Sequence, residues 1–262
     1  METFQLSEKL LKKIADLILA KKNTPLKKIV KDIHFADMAE IINELNEQQG
    51  IYLIKLFDSE KTSEILTELD EDVREKILKA LSVKEIADEI EELDSDDAAD
   101  ILGELSDERK EEVISEISDD NLADDLKELL SYEEDSAGGL MAKELVQANE
   151  NWSVTKCLKE IKKQGENVTR VHSIYVVDDK QKLIGRLSLK DLITSPAKNL
   201  IKDIYIPKVD SVNVYDDGEE VAKIMSKYDL EAIPVIDNKK QLVGRITIDD
   251  IVDFIKEEAE ED

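Results

Sequence analysis

The residues of this sequence that could do chemistry are carboxylates, several of which are spaced as on one face of a helix. Asp96 and Asp100 are four positions apart, so on a helix they share one face. In the last segment, steps of three or four positions connect Asp250, Asp253, Glu257 and Glu261. Like charges placed in this way repel each other unless a positive group lies between them. A bound cation is one interpretation, and a solvated acidic face or the capping of a helix start is the other.

A second unusual feature is the stretch SYEEDSAGGLM at residues 131–141, where two glycines follow three carboxylates. Before it the sequence is acidic and helical in pattern, and after it the pattern changes to strands. Glycine has no Cβ, so the backbone there can approach another group closely. The stretch predicts a domain boundary with tight backbone beside negative charge.

The elements that must position these carboxylates begin with a helical repeat. Residues 37–45 read DMAEIINEL, with apolar side chains at i, i+3, i+4 and i+7, which is the spacing of one apolar stripe on a helix. The arrangement recurs in KTSEILTELD, EIADEIEELD, DDAADILGEL and NLADDLKELL. Such short helices cannot bury their apolar faces alone, so they should stack into a solenoid whose hand the sequence leaves open. Ser95, Ser106 and Ser118 are predicted to cap helix starts.

The second half of the chain is an internal duplication. SIYVVDDKQKLIGRLSLKDLI and AIPVIDNKKQLVGRITIDDIV align at a separation of 59 positions. Each copy has a β-branched run, a polar turn, a second run and a short helix, so the prediction is strand, turn, strand, helix. Amphipathic helices are predicted upstream of the two copies, at residues 154–163 and 219–228. The two copies should pack as a pseudo-symmetric α/β pair.

Composition limits the class of function. The formal net charge of −27 opposes binding to nucleic acid or anionic lipid and favours cations or basic partners. The single cysteine, Cys157, excludes an intramolecular disulfide and a thiolate zinc cluster, which fits a reduced intracellular setting. No signal peptide and no apolar run of the ~20 residues needed to cross a bilayer is expected. No glycine-rich phosphate loop, nucleophile elbow or Ser/His/Asp set is present, so no enzyme is expected.

The duplicated pattern resembles a tandem of CBS domains. Joined to the acidic repeat through EEDSAGGLM, the chain from about Asp37 onward resembles the cytosolic region of MgtE-type magnesium transporters and channels. The resemblance implies a multidomain fold, with an all-α helical-repeat superhelix at residues 1–131 and an α/β tandem CBS pair at 132–199 and 200–262. The second CBS domain would carry the acidic C-terminal helix. It also implies a place on the cytoplasmic side of the plasma membrane, beside a membrane transport domain that this chain lacks.

The same resemblance implies magnesium as the ligand and assigns residues to it. Magnesium takes oxygen ligands in a near-octahedral shell and keeps several waters, so one or two carboxylates per ion are enough. Glu64, Asp100 and the backbone carbonyl of Gly139 match family ligands, and Asp96 would face Asp250. A second group comprises Asp229, Asp253 and the carbonyl of Ser226. Further candidates are Glu219, Glu258 and Glu261.

Nucleotide binding and self-association are the other properties that the resemblance implies. Ser188, Asp191 and Thr247 lie where CBS pairs hold a ribose, so ATP or AMP is a second candidate ligand. Ser173 and Leu230 occupy positions where nucleotide-binding members can present aromatic rings, so any nucleotide should bind weakly. A homodimer through the CBS domains is expected, with apolar residues of 221–228 contributing.

Two functions therefore remain open on the sequence. The leading one is a magnesium-sensing module that gates a transporter or channel, in which bound ions favour the closed state. The alternative is an adenine-nucleotide-sensing CBS scaffold that binds a protein partner through its helical repeat. The number and affinity of the magnesium sites are not fixed by the residues.

Overall fold

The computed structural model describes residues 4–261, except for the side chains of Asn167, Glu257, Glu260 and Glu261. The chain divides into two compact units. We call the first the helical unit; it runs to Leu93 and continues over Asp97–Asp124. The second, the sheet unit, contains Asp94–Asp96 and the chain from Asp125 onward.

The N-terminal half is a series of short helices, as the apolar spacing predicts. They are α1 (Glu8–Leu19), α2 (Asn23–Val30), α3 (Phe35–Asn43), α4 (Glu47–Ile54), α5 (Ser59–Thr67), α6 (Glu71–Ala80), α7 (Val83–Ile90), α8 (Ser95–Gly103), α9 (Asp107–Glu116) and α10 (Asp120–Leu129). In the helical unit α3 packs on α5, α5 on α7 and α7 on α9, while α4 packs on α6. This alternation confirms the predicted stacked repeat. Between residues 4 and 261, no helix is both long enough and apolar enough to cross a membrane.

The helix starts depart from the predicted serine caps. Ser95 lies inside α8, and its hydroxyl donates to Glu144 instead of accepting from the helix. Ser106 stands at the N-cap of α9 without a side-chain hydrogen bond to it. Helix α10 begins two residues after Ser118, and Asp119 accepts the Asn121 N–H. Ser106 thus keeps the predicted N-cap position without the predicted hydrogen bond, and Asp119 takes the role predicted for Ser118.

The carboxyl group of Glu89 in the helical unit has a buried oxygen atom without a hydrogen-bond partner. The Oε2 atom of Glu89, on α7, is inaccessible to water and accepts no hydrogen bond from any described residue. Burial, followed by the negative charges of Asp88, Glu92, Glu85 and Asp58, raises the pKa of Glu89 to about 8. At neutral pH this group is therefore largely protonated in the folded chain.

We expect this protonation to make the helical unit less stable at high pH. The folded state binds the Glu89 proton more tightly than the unfolded state, so the free energy of unfolding should fall as pH rises from about 4.5 to about 8. After discounting for partial exposure, the loss should be about 2 kcal/mol. Thermal melts of the wild type, Glu89→Gln and the exposed control Glu68→Gln across that range test this. An equal pH dependence in all three would contradict it.

The sheet unit contains two small sheets of the same design. Their strands are β1 (Gln147–Asn149), β2 (Ile174–Val177), β3 (Leu183–Leu187), β4 (Val212–Asn213), β5 (Ala232–Ile236) and β6 (Leu242–Thr247). In each sheet the first strand pairs parallel to the second and the second pairs antiparallel to the third. The helices are α11 (Val154–Gln164), α12 (Leu189–Thr194), α13 (Gly218–Tyr228) and α14 (Ile248–Glu261). The predicted strand–turn–strand–helix duplication is confirmed.

The duplication extends to details of register. The β2–β3 pairing is irregular between Val176 and Val177, and the β5–β6 pairing is irregular between Val235 and Ile236. These sites are 59 positions apart, like the sequence copies themselves. In the first copy, Ile174 and Val176 join a core formed with α11, α12 and the following segment. The alternate residue of β2, Tyr175, is also buried but lies outside this core.

Candidate functional site

Arg245, on β6, is a buried arginine of the sheet unit with several carboxylates near it. Its side chain is almost fully buried, although arginine is normally exposed unless paired. The backbone N–H of Arg245 donates to the Ala142 carbonyl, and the Ala142 N–H donates back to the Arg245 carbonyl. The guanidinium Nε donates to the carbonyl of Glu144. Residues 142–144, directly after the AGGLM turn, are thus fixed to β6.

A buried serine holds the Glu144 carboxylate in place. The Ser95 hydroxyl donates to Glu144 Oε2 at 2.8 Å, and the Ser95 N–H donates to the same atom at 3.2 Å. Ser95 Oγ in turn accepts the Lys143 N–H at 2.8 Å. Since Ser95 is fully buried, these bonds form away from water and are correspondingly strong.

Carboxylates outnumber the single arginine in this region, and we call Asp94, Glu144, Arg245, Asp249 and Asp250 the Arg245 cluster. Burial, then the negative charge of Glu144, raises the pKa of Asp94, and Asp250 and Asp249 act in the same direction. Burial also raises the pKa of Asp250, against the effect of its hydrogen bonds from Thr247. At Asp249 the effect of burial is outweighed by hydrogen bonds and by the nearby His172 and Arg245, so the pKa of Asp249 is lowered instead. The Asp94 and Asp250 carboxylates are thus ionised at a cost that Arg245 only partly offsets. A further positive charge would lower that cost.

Asp250 is the predicted magnesium ligand that lies in the Arg245 cluster. Its Oδ2 accepts hydrogen bonds from the Thr247 N–H at 2.9 Å and the Thr247 hydroxyl at 2.5 Å. Asp96 is half-buried in the same unit. The sequence reasoning missed Asp94 and Glu144, whose charges act on the same group of carboxylates. The one available signal was their position, directly before Ser95 and directly after the AGGLM turn.

Gly139 is required by backbone packing in the same region. A Cβ at this position would lie 2.5 Å from the carbonyl oxygens of both Glu133 and Glu134. The Ser136 hydroxyl donates to the Glu133 carbonyl and accepts the Gly139 N–H, which closes the turn. Close approach of backbone therefore accounts for this glycine by itself, and the role of its carbonyl as a ligand stays a prediction.

Glu64 and Asp100 lie in the helical unit, on α5 and α8, and both side chains are exposed. Their exposure leaves both carboxylates accessible to a hydrated ion. Their predicted pairing with Gly139 is not tested by the geometry of either unit and stays a prediction.

The second predicted group lies around α13 and α14, which pack on each other. Ser226 and Asp229 are exposed, and Asp229 ends α13 in the left-handed conformation, with φ of 51°. Asp253 is exposed and forms an ion pair of 2.6 Å with Lys256. Glu219 pairs with Lys223 at 3.1 Å.

Two candidates of this group lie on the last part of α14. Glu258 is half-buried, and the side chain of Glu261 lies outside the described residues. Among the side chains that are described, no three Asp, Glu, His or Cys residues converge in a way that could hold a metal ion.

The residues predicted to hold a ribose form two equivalent pairs. The Ser188 hydroxyl donates to Asp191 Oδ2 at 2.7 Å, and Ser188 Oγ accepts the Asp191 N–H. Thr247 and Asp250, 59 positions later, form the same hydroxyl–carboxylate bond. Both pairs sit at the first turn of a helix, α12 or α14, where this arrangement caps the free N–H groups. Helix capping thus explains both pairs without a nucleotide.

Both halves of the chain are similar to known protein families. The family described as the MgtE intracellular N domain matches residues 33–135, and the CBS domain family matches 137–198 and 201–257. The magnesium transporter MgtE of Thermus thermophilus is 42% identical over 134 residues, which is 51% of this chain and 30% of that protein. MgtE of Enterococcus faecalis is 40% identical over the same shares. The chain thus spans about a third of the length of these relatives.

Two solved structures match nearly the whole chain. The soluble part of a magnesium transporter has a TM-score of 0.80 and 29% identity, over 96% of this chain and 99% of that one. The cytosolic domain of the magnesium channel MgtE in complex with ATP has a TM-score of 0.85 and 31% identity, over 93% and 99%. Both matches extend over the helical unit and the sheet unit of the chain.

Proposed function

Since the chain belongs to the family of MgtE cytosolic regions, an MgtE N domain followed by a CBS pair, we propose that it senses magnesium and gates a magnesium transporter or channel. The observation that carries the proposal is the Arg245 cluster. There, the three half-buried carboxylates of Asp94, Glu144 and Asp250 outnumber the one arginine, and the pKa values of Asp94 and Asp250 are raised. A divalent cation supplies the charge that such a cluster lacks.

The proposed switch is electrostatic. Unit charges ~4 Å apart repel by about 4 kcal/mol at an effective dielectric of 20. A two-state equilibrium needs ~5.5 kcal/mol to shift from almost fully open to almost fully closed. Neutralising two or three carboxylate pairs is therefore enough, and we propose that bound magnesium favours the closed state of the pore.

We assign the ions to the residues that the family resemblance indicates. Asp250 with Asp96 would hold one ion, Glu64 and Asp100 with the Gly139 carbonyl another, and Asp229 and Asp253 with the Ser226 carbonyl a third. Glu219, Glu258 and Glu261 are further candidates. Each set offers one or two carboxylates, which suits magnesium because the ion gives up its waters reluctantly.

The partners we propose follow from the same family. A membrane transport domain would receive the signal, which places this chain on the cytoplasmic side of the membrane. The domain boundaries at 131/132 and 199/200 stay predictions.

We also propose that the sheet unit forms a homodimer through α12 and α14. Exposed apolar side chains recur at equivalent positions of the duplication: Leu189 matches Ile248, and Ile193 matches Val252. On each helix the two are four positions apart and so share a face. A repeated apolar face of this kind suits an isologous contact with a second copy. The expected contribution of residues 221–228 is wrong in part, because Val221 and Met225 are fully buried in the core.

Adenine-nucleotide sensing is the second candidate function. It is favoured by the ATP complex of the similar MgtE cytosolic domain. The Ser188–Asp191 and Thr247–Asp250 pairs are compatible with it, although helix capping already explains them. In this reading the CBS pair binds ATP or AMP, and the helical repeat binds a protein partner.

The double variant Glu64→Gln, Asp100→Asn tests the magnesium proposal. If these exposed carboxylates hold an ion, the variant should keep or exceed the wild-type melting temperature in chelator, and should lose much of the rise that magnesium gives. Binding to the folded form is what produces that rise. If they are only surface charges, the two changes should alter stability by no more than ~1–2 kcal/mol and leave the response to magnesium intact.

Melting curves of the wild type and the double variant, each with chelator and with millimolar magnesium, separate these outcomes. The matched control is Glu68→Gln, Asp97→Asn, which removes two exposed carboxylates of the same unit. A full wild-type magnesium shift in the Glu64/Asp100 variant would remove these residues from the proposal. A parallel titration with ATP and AMP tests the second candidate.

A further inference from the structure

Two hairpin turns of the sheet unit meet at a groove lined mostly by lysine. The turns are those between β2 and β3 and between β5 and β6, which the duplication places at equivalent positions. The groove has a volume of about 450 Å³ and is lined by Lys180, Lys182, Asn238, Lys239, Lys240 and Gln241. The groove thus contains four ammonium groups, although the net charge of the chain is −27.

The backbone of this groove is rigidly fixed. The Leu183 N–H donates to the Lys240 carbonyl at 3.0 Å, and the Leu242 N–H donates to the Gln181 carbonyl at 3.1 Å. Gln181 and Lys240, 59 positions apart, both adopt the left-handed conformation with φ of 62°. The two turns are thus joined to each other by hydrogen bonds at equivalent residues. The backbone that carries the exposed lysines is therefore pre-organised, which lowers part of the entropy cost of binding.

The carboxylates next to the groove are used elsewhere. Asp178 and Asp237 each accept two backbone N–H groups of their own turns. Asp179 accepts hydrogen bonds from the side-chain amides of Asn149 and Asn151. In the described part of the chain, no ion pair includes any of the four groove lysines. The pKa of Asp178 is lowered by backbone hydrogen bonds from its turn and also by the Lys182 and Lys180 charges. The neighbouring carboxylates therefore offset the four lysine charges only in part.

From this arrangement we propose that the groove binds a compact oligophosphate anion. Lysine ammonium groups bind phosphate oxygens as point charges, whereas planar carboxylate recognition favours the arginine fork, and none of the six lining residues is arginine. None of the six is aromatic, so the groove offers a nucleobase no stacking surface. Its volume lies within the range of roughly 300–1,000 Å³ common for small-ligand pockets. The site is separate from the magnesium ligands and from the Ser188 and Thr247 pairs.

Calorimetric titration of inorganic tripolyphosphate into the full chain, in magnesium-free buffer of low salt, tests this inference. The wild type should bind it, and the groove variant Lys180→Gln, Lys182→Gln, Lys239→Gln, Lys240→Gln should bind at least about tenfold more weakly. The control variant Lys159→Gln, Lys162→Gln, Lys202→Gln, Lys208→Gln removes four exposed lysines of the same unit and should bind as the wild type does.

Two results would overturn the inference. One is the absence of tripolyphosphate binding by the wild type, including the case in which phosphatidylglycerol vesicles capture the chain instead. The other is an equal loss of affinity in the groove and control variants, which would indicate a response to overall charge. Neither result bears on magnesium sensing, because the groove variant keeps every proposed magnesium ligand and should keep the magnesium-dependent rise in melting temperature.

Discussion

Replacing Ile193 and Val252 by aspartate should leave the chain monomeric under conditions in which the wild type is a dimer. Both side chains are exposed in the isolated chain, with 63% and 43% of their surface accessible, so the change should not disturb the fold. In the proposed dimer they are buried, and an unpaired charge moved into an interface costs several kcal/mol. Because each 1.4 kcal/mol is tenfold, the two changes should weaken association by at least about 100-fold.

Sedimentation velocity at micromolar concentration measures this effect, and circular dichroism checks that the variant is folded. The matched control is Leu158→Asp with Leu19→Asp, which adds the same charges at exposed apolar positions on α11 and α1. The control should remain dimeric. A wild type that is monomeric at every concentration, or an Ile193/Val252 variant that stays dimeric, would contradict the proposed interface.

The second large effect is expected from the double variant Asp94→Asn, Asp250→Asn. Without magnesium it should be more stable than the wild type, because it removes two carboxylates that burial and mutual repulsion disfavour. Asparagine keeps a side-chain oxygen at position 250, so the bonds from Thr247 that cap α14 can be retained. Stability should therefore rise and not fall.

With magnesium the order should reverse. At a concentration 100-fold above the dissociation constant, one bound ion stabilises the folded form by about 2.7 kcal/mol. For a protein of this size that corresponds to a rise of roughly 5–10 °C in melting temperature, which the variant should largely lose. The exposed pair Asp203→Asn, Asp210→Asn is the matched control and should keep the full rise.

The two single variants should also be measured, because neighbouring charges are not additive in their effects. An Asp94/Asp250 variant that is destabilised in chelator and keeps the wild-type magnesium response would show that these carboxylates serve only to maintain the fold.

The fold could be predicted because it depends on local periodicity and on self-similarity within the sequence. Apolar spacing in residues 37–45 identified α3, and the copies separated by 59 positions identified two equivalent sheets. Both the apolar spacing and the repeat can be read directly from the sequence, so predicting the fold requires no knowledge of distant contacts.

The charged interior could not be predicted in the same way. Asp94, Glu144 and Arg245 are far apart in sequence. The pairing of Ala142 with Arg245 brings Glu144 to Arg245, and the hydrogen bonds from Ser95 to Glu144 bring Asp94 to the same region. The cap at Ser95 was mispredicted for a related reason, since its hydroxyl donates to Glu144, which is 49 positions away in the sequence. Gly139 was expected to matter for ligand approach, whereas the carbonyls of Glu133 and Glu134 already require it. These features depend on contacts between residues that are distant in the sequence. Such contacts cannot be identified from the pattern of a single sequence.

Small-angle scattering tests the central claim most directly. If magnesium neutralises carboxylates of the helical and sheet units and draws the two together, the radius of gyration of the wild type should be larger in chelator and should fall in millimolar magnesium. The same ionic strength of sodium chloride should not reproduce the change, because screening does not replace a bound ion. A radius of gyration that is identical in chelator and in magnesium would contradict magnesium sensing by this chain.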